Sequence, residues 1–427
     1  MRRRLLSATA AAWLLSSPAA ADVITASSTT VVTAGQPNRD GSLTTALPVY
    51  ELLSLSASEM KTGWGEFEAA LSAWGAVDAA DIRFWQNGGP TGSRATADVD
   101  VAYLRGDLLA RHLTIRLGRQ VVVEGNARMV HLDGGQLVIR LPGGFGLSAY
   151  GGAPVSPRFD ARGTAFTTGN TVATVAYGGR VSWARAGLVE LGVSASLAKA
   201  DGDLTRQDLG ADLRFTPYHL IEISSSGFYN LTEKRVGQAE VALGIEAHRT
   251  LRLVLDYQHV EPDLFLPRNS ILSVFAADKR NDLGGGLRWT PTRALAIDAD
   301  YHILRAEDGD GNRARVKGTY RPYGRWVVGA DLQLLQVPEN GYWLARIFAS
   351  REFGRFAGAL DGWFYRYDKQ VNGQDQSAGG ALTGSYQLAP SWRFALSGTV
   401  GSDPFYKSRL DVMAKLVWNQ LYTREVR

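Results

Sequence analysis

Apolar and polar residues alternate strictly over much of the chain. In "RALAIDADYHIL" (293–304), Leu295, Ile297, Ala299, Tyr301 and Ile303 take every second position, and Asp298, Asp300 and His302 stand between them. This is the pattern of a strand with two unlike faces. In 188–198, Leu191, Val193, Ala195 and Leu197 alternate with Glu190, Gly192, Ser194 and Ser196. In 240–248, Val241, Leu243, Ile245 and Ala247 stand against Glu240, Gly244 and Glu246. In 251–259, Leu251, Leu253, Leu255 and Tyr257 oppose Arg252, Val254, Asp256 and Gln258, and in 409–418, Leu410, Val412, Ala414, Leu416 and Trp418 share one face. A single segment of this kind is weak evidence; their number is the strong part.

The turns are regular too. "RFTPYHLIEI" (214–223), "RWTPTRALAI" (288–297), "TYRPYGRWVV" (319–328) and "YQLAPSWRFAL" (386–396) share the scheme strand, Pro, one to three residues, strand. Pro217, Pro291, Pro322 and Pro390 lack the N–H that a ladder requires and preset a turn dihedral, so they mark tight hairpin ends. Segmentation at these turns predicts about 22 strands, or 18 to 20 if 27–34 merges with 46–58 or 135–141 with 143–151. Long connections at 35–45, 76–93, 119–134, 152–170 and 261–279 then all fall at the end opposite the Pro turns.

The first residues set the compartment. "MRRRLLSATAAAWLLSSPAAADV" has three arginines, a short apolar run and small residues before Ala21, the form of a cleaved secretory signal over 1–21, with one domain over 22–427. Three of the 46 Lys and Arg lie in the signal, which leaves 43 against 42 Asp and Glu. The basic pI therefore does not point to nucleic acid. The absence of cysteine excludes disulfides and thiolate chemistry. After residue 21 no apolar run approaches the roughly 20 residues of a spanning helix. With 47 glycines, 11 Trp, 16 Tyr and 15 Phe in a 21% charged chain, the fold class expected is an all-β, transmembrane, antiparallel up-and-down β-barrel with short periplasmic turns and long extracellular loops.

One stretch carries a family resemblance. "LTIRLGRQVVVEGNARMVHLDGGQLVIRLPGGFGLSAYGG" (113–152) resembles a segment of outer-membrane porins of the alginate-export and carbohydrate type. The matching residues are Leu117, Gly118, Arg119, Gln120, Arg128, Asp133 and Gly134. The resemblance implies a wide, solute-conducting barrel with loops folded inward. Such barrels usually finish on an aromatic residue, whereas this chain continues past Trp418 through "NQLYTREVR". Either 419–427 form a periplasmic tail or Tyr422 belongs to a longer last strand.

The polar faces supply the candidate pore lining: Asp98, Asp100, Arg116, Arg140, Asp212, Arg214, Glu240, Glu246, Arg252, Asp256, Arg288, Asp298, Asp300, Asp331, Arg346, Arg393, Arg409 and Lys415. An Arg or Lys facing lipid at the bilayer midplane costs about 2–4 kcal/mol, which assigns the set to the inside. It holds nine acids and nine bases, so weak charge selectivity and passage of small hydrophilic, neutral or zwitterionic solutes are expected. A bland alternative is that these charges pair across strands and merely fill the barrel. No Gly-x-Ser-x-Gly or His-Glu-x-x-His occurs and the six histidines are dispersed. "EDGDGN" lacks the later calcium-loop residues, with Arg313 and Thr319 where Gly and Glu are required.

The predicted function is passive diffusion through an outer-membrane porin with no cofactor. Its expected partners are outer-membrane lipid, small solutes and, during biogenesis, the barrel-assembly machinery. The alternatives are an interaction barrel whose loops bind an envelope partner and, below it, a barrel hydrolase. A cysteine introduced at 84–90 or 266–272 is expected to react with an impermeant thiol reagent on intact cells, and one beside Pro291 or Pro390 is not. The opposite labelling pattern would invert the barrel.

Overall fold

The computed structural model describes residues 23–39, 42–43, 47–79, 95–127, 129–155, 167–168, 171–172, 174–200, 202–264, 279–322 and 325–423. The signal segment 1–21 and Arg128 lie outside the described residues. Twenty-two strands form one closed antiparallel barrel. They are β1 Val23–Arg39, β2 Pro48–Thr62, β3 Gly65–Asp78, β4 Ala95–Leu108, β5 Leu113–Val123, β6 Met129–Arg140, β7 Phe145–Pro154, β8 Val175–Arg185, β9 Val189–Ala200, β10 Asp203–Tyr218 and β11 Ile221–Asn230. The second half comprises β12 Arg235–His248, β13 Leu251–Val260, β14 Arg280–Trp289, β15 Leu295–Ala306, β16 Gly309–Tyr320, β17 Trp326–Gln336, β18 Tyr342–Phe353, β19 Phe356–Val371, β20 Gln374–Ala389, β21 Trp392–Asp403 and β22 Tyr406–Thr423. Each strand pairs with its sequence neighbour, and β1 closes on β22 from Val23↔Thr423 to Asn38↔Ser408.

Val23, Thr423 and the Pro turns stand at one end of the barrel, here the turn end. Connections there are short, such as 63–64 and 219–220. The strand ends that flank 79–94, 155–174 and 261–279 stand at the opposite, loop end. Two expectations are corrected and one open alternative is settled. The connection expected over 35–45 is strand up to Arg39, with Ser42 and Leu43 paired back onto Arg39 and Asn38. The connection expected over 119–134 shrinks to 124–128, because β5 continues through Val123 and β6 begins at Met129. At the C-terminus, β22 runs past Trp418 to Thr423, and Tyr422 pairs with Ile24, so 419–423 are strand. In each case the neighbouring strand offers ladder partners that no local pattern reveals.

Alternation and register place every side chain. Leu295, Ile297, Ala299, Tyr301 and Ile303 point outward, and Tyr301 is 52% and Ile303 44% exposed, while inward His302 and Leu304 are each 7% exposed. The same parity carried through the register puts Val193, Leu255, Leu332, Ile347 and Leu382 outside, all of them exposed. Outward aromatics gather beside the turns: Trp326 with Phe353, Phe356 with Tyr386 (ring centroids 4.4 Å apart) and Trp392 with Trp418. An apolar band edged by such a girdle is the surface that a bilayer accepts.

Strand tilt makes each hydrogen-bonded row climb. The row that passes Arg393 and Val417, near the turn end of β21, continues through Thr29, Leu52 and Trp74 and reaches Asp98, near the loop end of β4. Tyr301→Arg, outward near the middle of β15, is expected to impair insertion by about 2–4 kcal/mol, since it sets a charge against hydrocarbon, whereas Asp298→Arg leaves assembly intact. Heat-modifiable migration of the folded barrel on a gel measures both, and equal damage would contradict the assigned faces.

Candidate pore lining

The inner face of the second half carries a continuous charged row. In register it reads Glu246, Arg252, Arg288, Asp298, Lys317, Asp331 and Arg346 across β12 to β18. Neighbours in it and beside it are joined. Arg288 Nε donates to Asp298 at 2.7 Å, Arg315 Nε to Asp331 at 2.9 Å and Arg346 Nε to Asp361 at 2.8 Å. Arg252 lies 3.2 Å from both Glu246 and Glu222, and Arg214 lies 2.8 Å from Glu222. His302 Nδ1 is 2.7 Å from Asp282 and 3.6 Å from Asp256, and its Nε2 is 3.8 Å from Asp300. Gly284 makes this burial of His302 possible, because a Cβ there would stand 2.5 Å from the imidazole Cγ.

The two signs are not equally presented. Arg315 is 40% exposed where Asp331 is 2%, Arg288 67% where Asp298 is 37%, and Arg313 39% where Asp282 is 6%. A carboxylate on a one-carbon stem stays against the wall, while a guanidinium on three methylenes reaches past it and keeps its charged head in water. At these three pairs arginine faces the lumen ahead of the carboxylate, whereas Arg252 and Glu246 are equally exposed, at 43 and 42%.

The other expected residues fall as follows. Asp212 pairs with Arg180, and Arg409 pairs with Asp411. Glu240 accepts from Gln258, Arg393 donates to Gln387, and Arg140 donates to Thr114. Arg116 lies over the Tyr103 ring at 4.8 Å, and Lys415 faces inward opposite Ala395. Asp98 stands opposite Trp74, and its carboxylate accepts at 3.3 Å from Nη1 of Arg119, a residue of the outward face. Asp100 leaves the alternating set: the register jumps from Ala73↔Val99 to Ser72↔Val101, which makes it the extra residue of a β-bulge.

In the family-like stretch, Gly118 pairs with Gly134, and Gly118 adopts φ +123° where a Cβ would stand 2.2 Å from the Ala102 carbonyl oxygen. Gln120 is buried inside, with Nε2 3.3 Å from the Arg116 and Gly134 carbonyl oxygens. Arg119 and Asp133 pair through two hydrogen bonds of 2.7 and 2.8 Å on the outward face.

Sequence reading omits Arg180, Glu222, Asp282, His302, Arg315 and Asp361 from the lining. The signal for some was present. "NRARVKGTY" puts Arg313, Arg315 and Lys317 on one parity, opposite Ala314 and Val316. Three further inward aromatics line β19: Tyr365 and Tyr367 stack with centroids 6.3 Å apart, Tyr342 meets Tyr365 edge-on at 5.5 Å, and Trp363 stands beside Arg346 in a recess with Gln333 and Leu344.

The connection 124–127 folds into the barrel. Glu124 accepts from Gln136 and Ser148, and the Ala127 amide donates to Ser194 Oγ at 3.1 Å, so the chain crosses the inner faces of β7 to β10. Gly210 is required beneath it, since a Cβ would stand 2.2 Å from the Ala127 nitrogen.

No protein-family model and no curated protein matches the chain. Among solved structures it is similar to the translocation pore of the P pilus usher PapC, at 11% identity over 93% of this chain and 100% of that one, with TM-score 0.48. It is also similar to OccAB4 of Acinetobacter baumannii (10% identity, 95% and 100% covered, TM-score 0.47) and OccK1 (OpdK) of Pseudomonas aeruginosa (10%, 93% and 99%, TM-score 0.46). At such identity the lumen is read from this chain's own residues.

Gly210→Val is expected to lift the inward connection off the wall. A cysteine at Ala127, 3% exposed in the native chain, should be inert to a water-soluble thiol reagent in the parent and reactive in Gly210→Val. Equal reactivity in the two would show that the connection is not seated there.

Proposed function

We propose that the protein is a passive outer-membrane channel for small hydrophilic solutes, with periplasmic termini and a preference for anions. The observation that carries this reading is the charged row from Glu246 to Arg346 with Arg315 beside it, in which Arg288 and Arg315 project past Asp298 and Asp331 while Glu246 and Arg252 are equally exposed. Equal numbers of acids and bases predict weak selectivity; unequal projection favours the positive face. A fixed positive lining in a narrow passage concentrates anions and lowers their entry barrier. At 22 strands the barrel is too wide for side chains alone to fill.

The inward residues expected from the sequence, with Arg313 and Arg315 added, would form the solute-facing wall. Aromatic Trp363, Tyr365 and Tyr367 give it an apolar strip beside Arg346. Neutral solutes with a polar edge and a flat face can use both.

Stepwise conductance of the purified protein in a planar bilayer tests the channel itself, and a silent barrel would favour the interaction-barrel reading. Reversal potentials under a salt gradient test the preference. The parent should favour anions; Arg288→Gln should shift preference toward cations, and Asp298→Asn/Asp300→Asn further toward anions. Both shifts should shrink near 1 M salt, where the screening length is about 3 Å. Cation preference in the parent would refute the proposed role of the projecting arginines.

A further inference from the structure

Arginines crowd one arc of the turn end. The tips that join β12 to β13, β14 to β15, β16 to β17 and β18 to β19 carry Arg249, Arg293, Arg321 with Arg325, and Arg355, and they hold no Asp or Glu. Elsewhere on that end the tips 63–64, 141–144, 186–188 and 390–391 have no charged residue, 219–220 has His219, and Arg111 is held by Glu66 at 2.9 Å. In the lumen Arg252, Arg288, Arg315 and Arg346 are held by carboxylates. Arg249, Arg293 and Arg321 are exposed and form no ion pair among the described residues.

Backbone hydrogen bonds bring three of these tips together. The Thr290 amide donates to the Thr250 carbonyl and the Arg321 amide to the Ala294 carbonyl, each at 2.7 Å. Between the tips lies a recess of about 570 Å³, lined by Arg249, Arg293, Arg321, Thr250, Thr290 and Thr292 and by no acid. Thr292 Oγ1 accepts from the Ala294 and Leu295 amides at 3.3 and 3.1 Å, which leaves its O–H to donate. The nearest acids in the register, Glu246 and Asp298, are already held by Arg252 and Arg288. A neighbouring recess shares Arg321 and adds Arg325, but Glu352 lines it. The first recess thus offers guanidinium donors from three tips and no neutralising group of its own.

We propose that this recess binds a phosphate group, carried on the headgroup of an anionic phospholipid or on a phosphorylated solute at the turn-end mouth. Arginine forks pair with carboxylate and phosphate. A carboxylate offers two oxygens in one plane, whereas a phosphate offers its oxygens tetrahedrally and can be met by donors on three sides. The position suits a headgroup, because outward Trp289 and Tyr320 immediately precede Thr290 and Arg321, which sets the recess one residue beyond the aromatic belt. It suits a solute because the charged row of the lumen, with Arg288 and Lys317, is the next inward row above it. The proposal does not depend on conduction.

The test uses the purified full chain in neutral detergent. Native mass spectrometry reads the lipid source with phosphatidylglycerol against phosphatidylcholine, and isothermal titration reads the soluble source with glycerol 3-phosphate against acetate. The parent should bind the phosphatidylglycerol or the glycerol 3-phosphate in preference to its control. Arg293→Gln/Arg321→Gln should weaken that binding at least tenfold, and Arg249→Gln should act in the same direction. Arg185→Gln removes an exposed arginine from another turn-end strand and should leave the affinity unchanged, which separates this recess from general positive charge. Phosphatidylglycerol bound alone assigns the site to lipid headgroups; glycerol 3-phosphate bound shows that the phosphate group suffices. Binding of neither overturns the proposal, as do equal binding of the controls, undiminished binding in the double variant and an equal loss in Arg185→Gln. A heat-modifiable gel checks that each variant is folded, and conductance is recorded separately, so an absent site and a silent channel are distinguishable.

Discussion

Closure of β1 on β22 is the constraint on which the rest of the structure depends. Sixteen register pairs join these strands, from Val23↔Thr423 to Asn38↔Ser408, and without them two strand edges would present unpaired N–H and C=O groups to hydrocarbon. Each such group costs several kcal/mol in lipid, so an open sheet of this size has no stable place in a bilayer. Closure explains why the last strand continues past Trp418: the residues beyond it are needed to satisfy the backbone of β1 near the turn end.

Once the barrel is closed, parity assigns every side chain to lipid or lumen, and the lumen inherits a dense set of opposite charges. Placed in register, they neutralise one another along the wall, as in the row from Glu246 to Arg346. Neutralisation in number is not neutrality in space. Difference in side-chain reach pushes guanidinium toward the axis and leaves Asp331 and Asp282 at the wall. The same pairs that hold the wall together thereby set the field that a solute meets.

Departures from regular alternation sit where the barrel does something besides span. The bulge at Asp100 breaks the parity of β4 and brings the backbone of Val99 within reach of Arg119, whose Nη1 donates to the Val99 carbonyl at 2.8 Å. Gly118 accepts a backbone dihedral closed to other residues. Connection 124–127 turns inward over Gly210. All three lie in β4 to β10, the part of the chain where the inner face is packed with Val122, Val130, Leu132 and Tyr150 rather than open.

The residues alone, through a period of two and local turn chemistry, establish the strands, their number to within 18 to 22, the end at which the Pro turns lie and the inward side of most charged residues. Ile297 and Asp298 are on opposite faces wherever that strand is placed. Only the tertiary structure decided which charges meet. Arg288 reaches Asp298, but Arg315 crosses to Asp331 and Arg346 to Asp361, since partners are fixed by interstrand register, which alternation leaves free in steps of two. The tertiary structure also decided that Asp100 leaves the inward set and that Arg119 and Asp133 pair on the outer wall. A bulge reverses parity without a mark in the hydrophobic pattern, and a charge facing outward is intelligible only with the opposite charge beside it on the next strand.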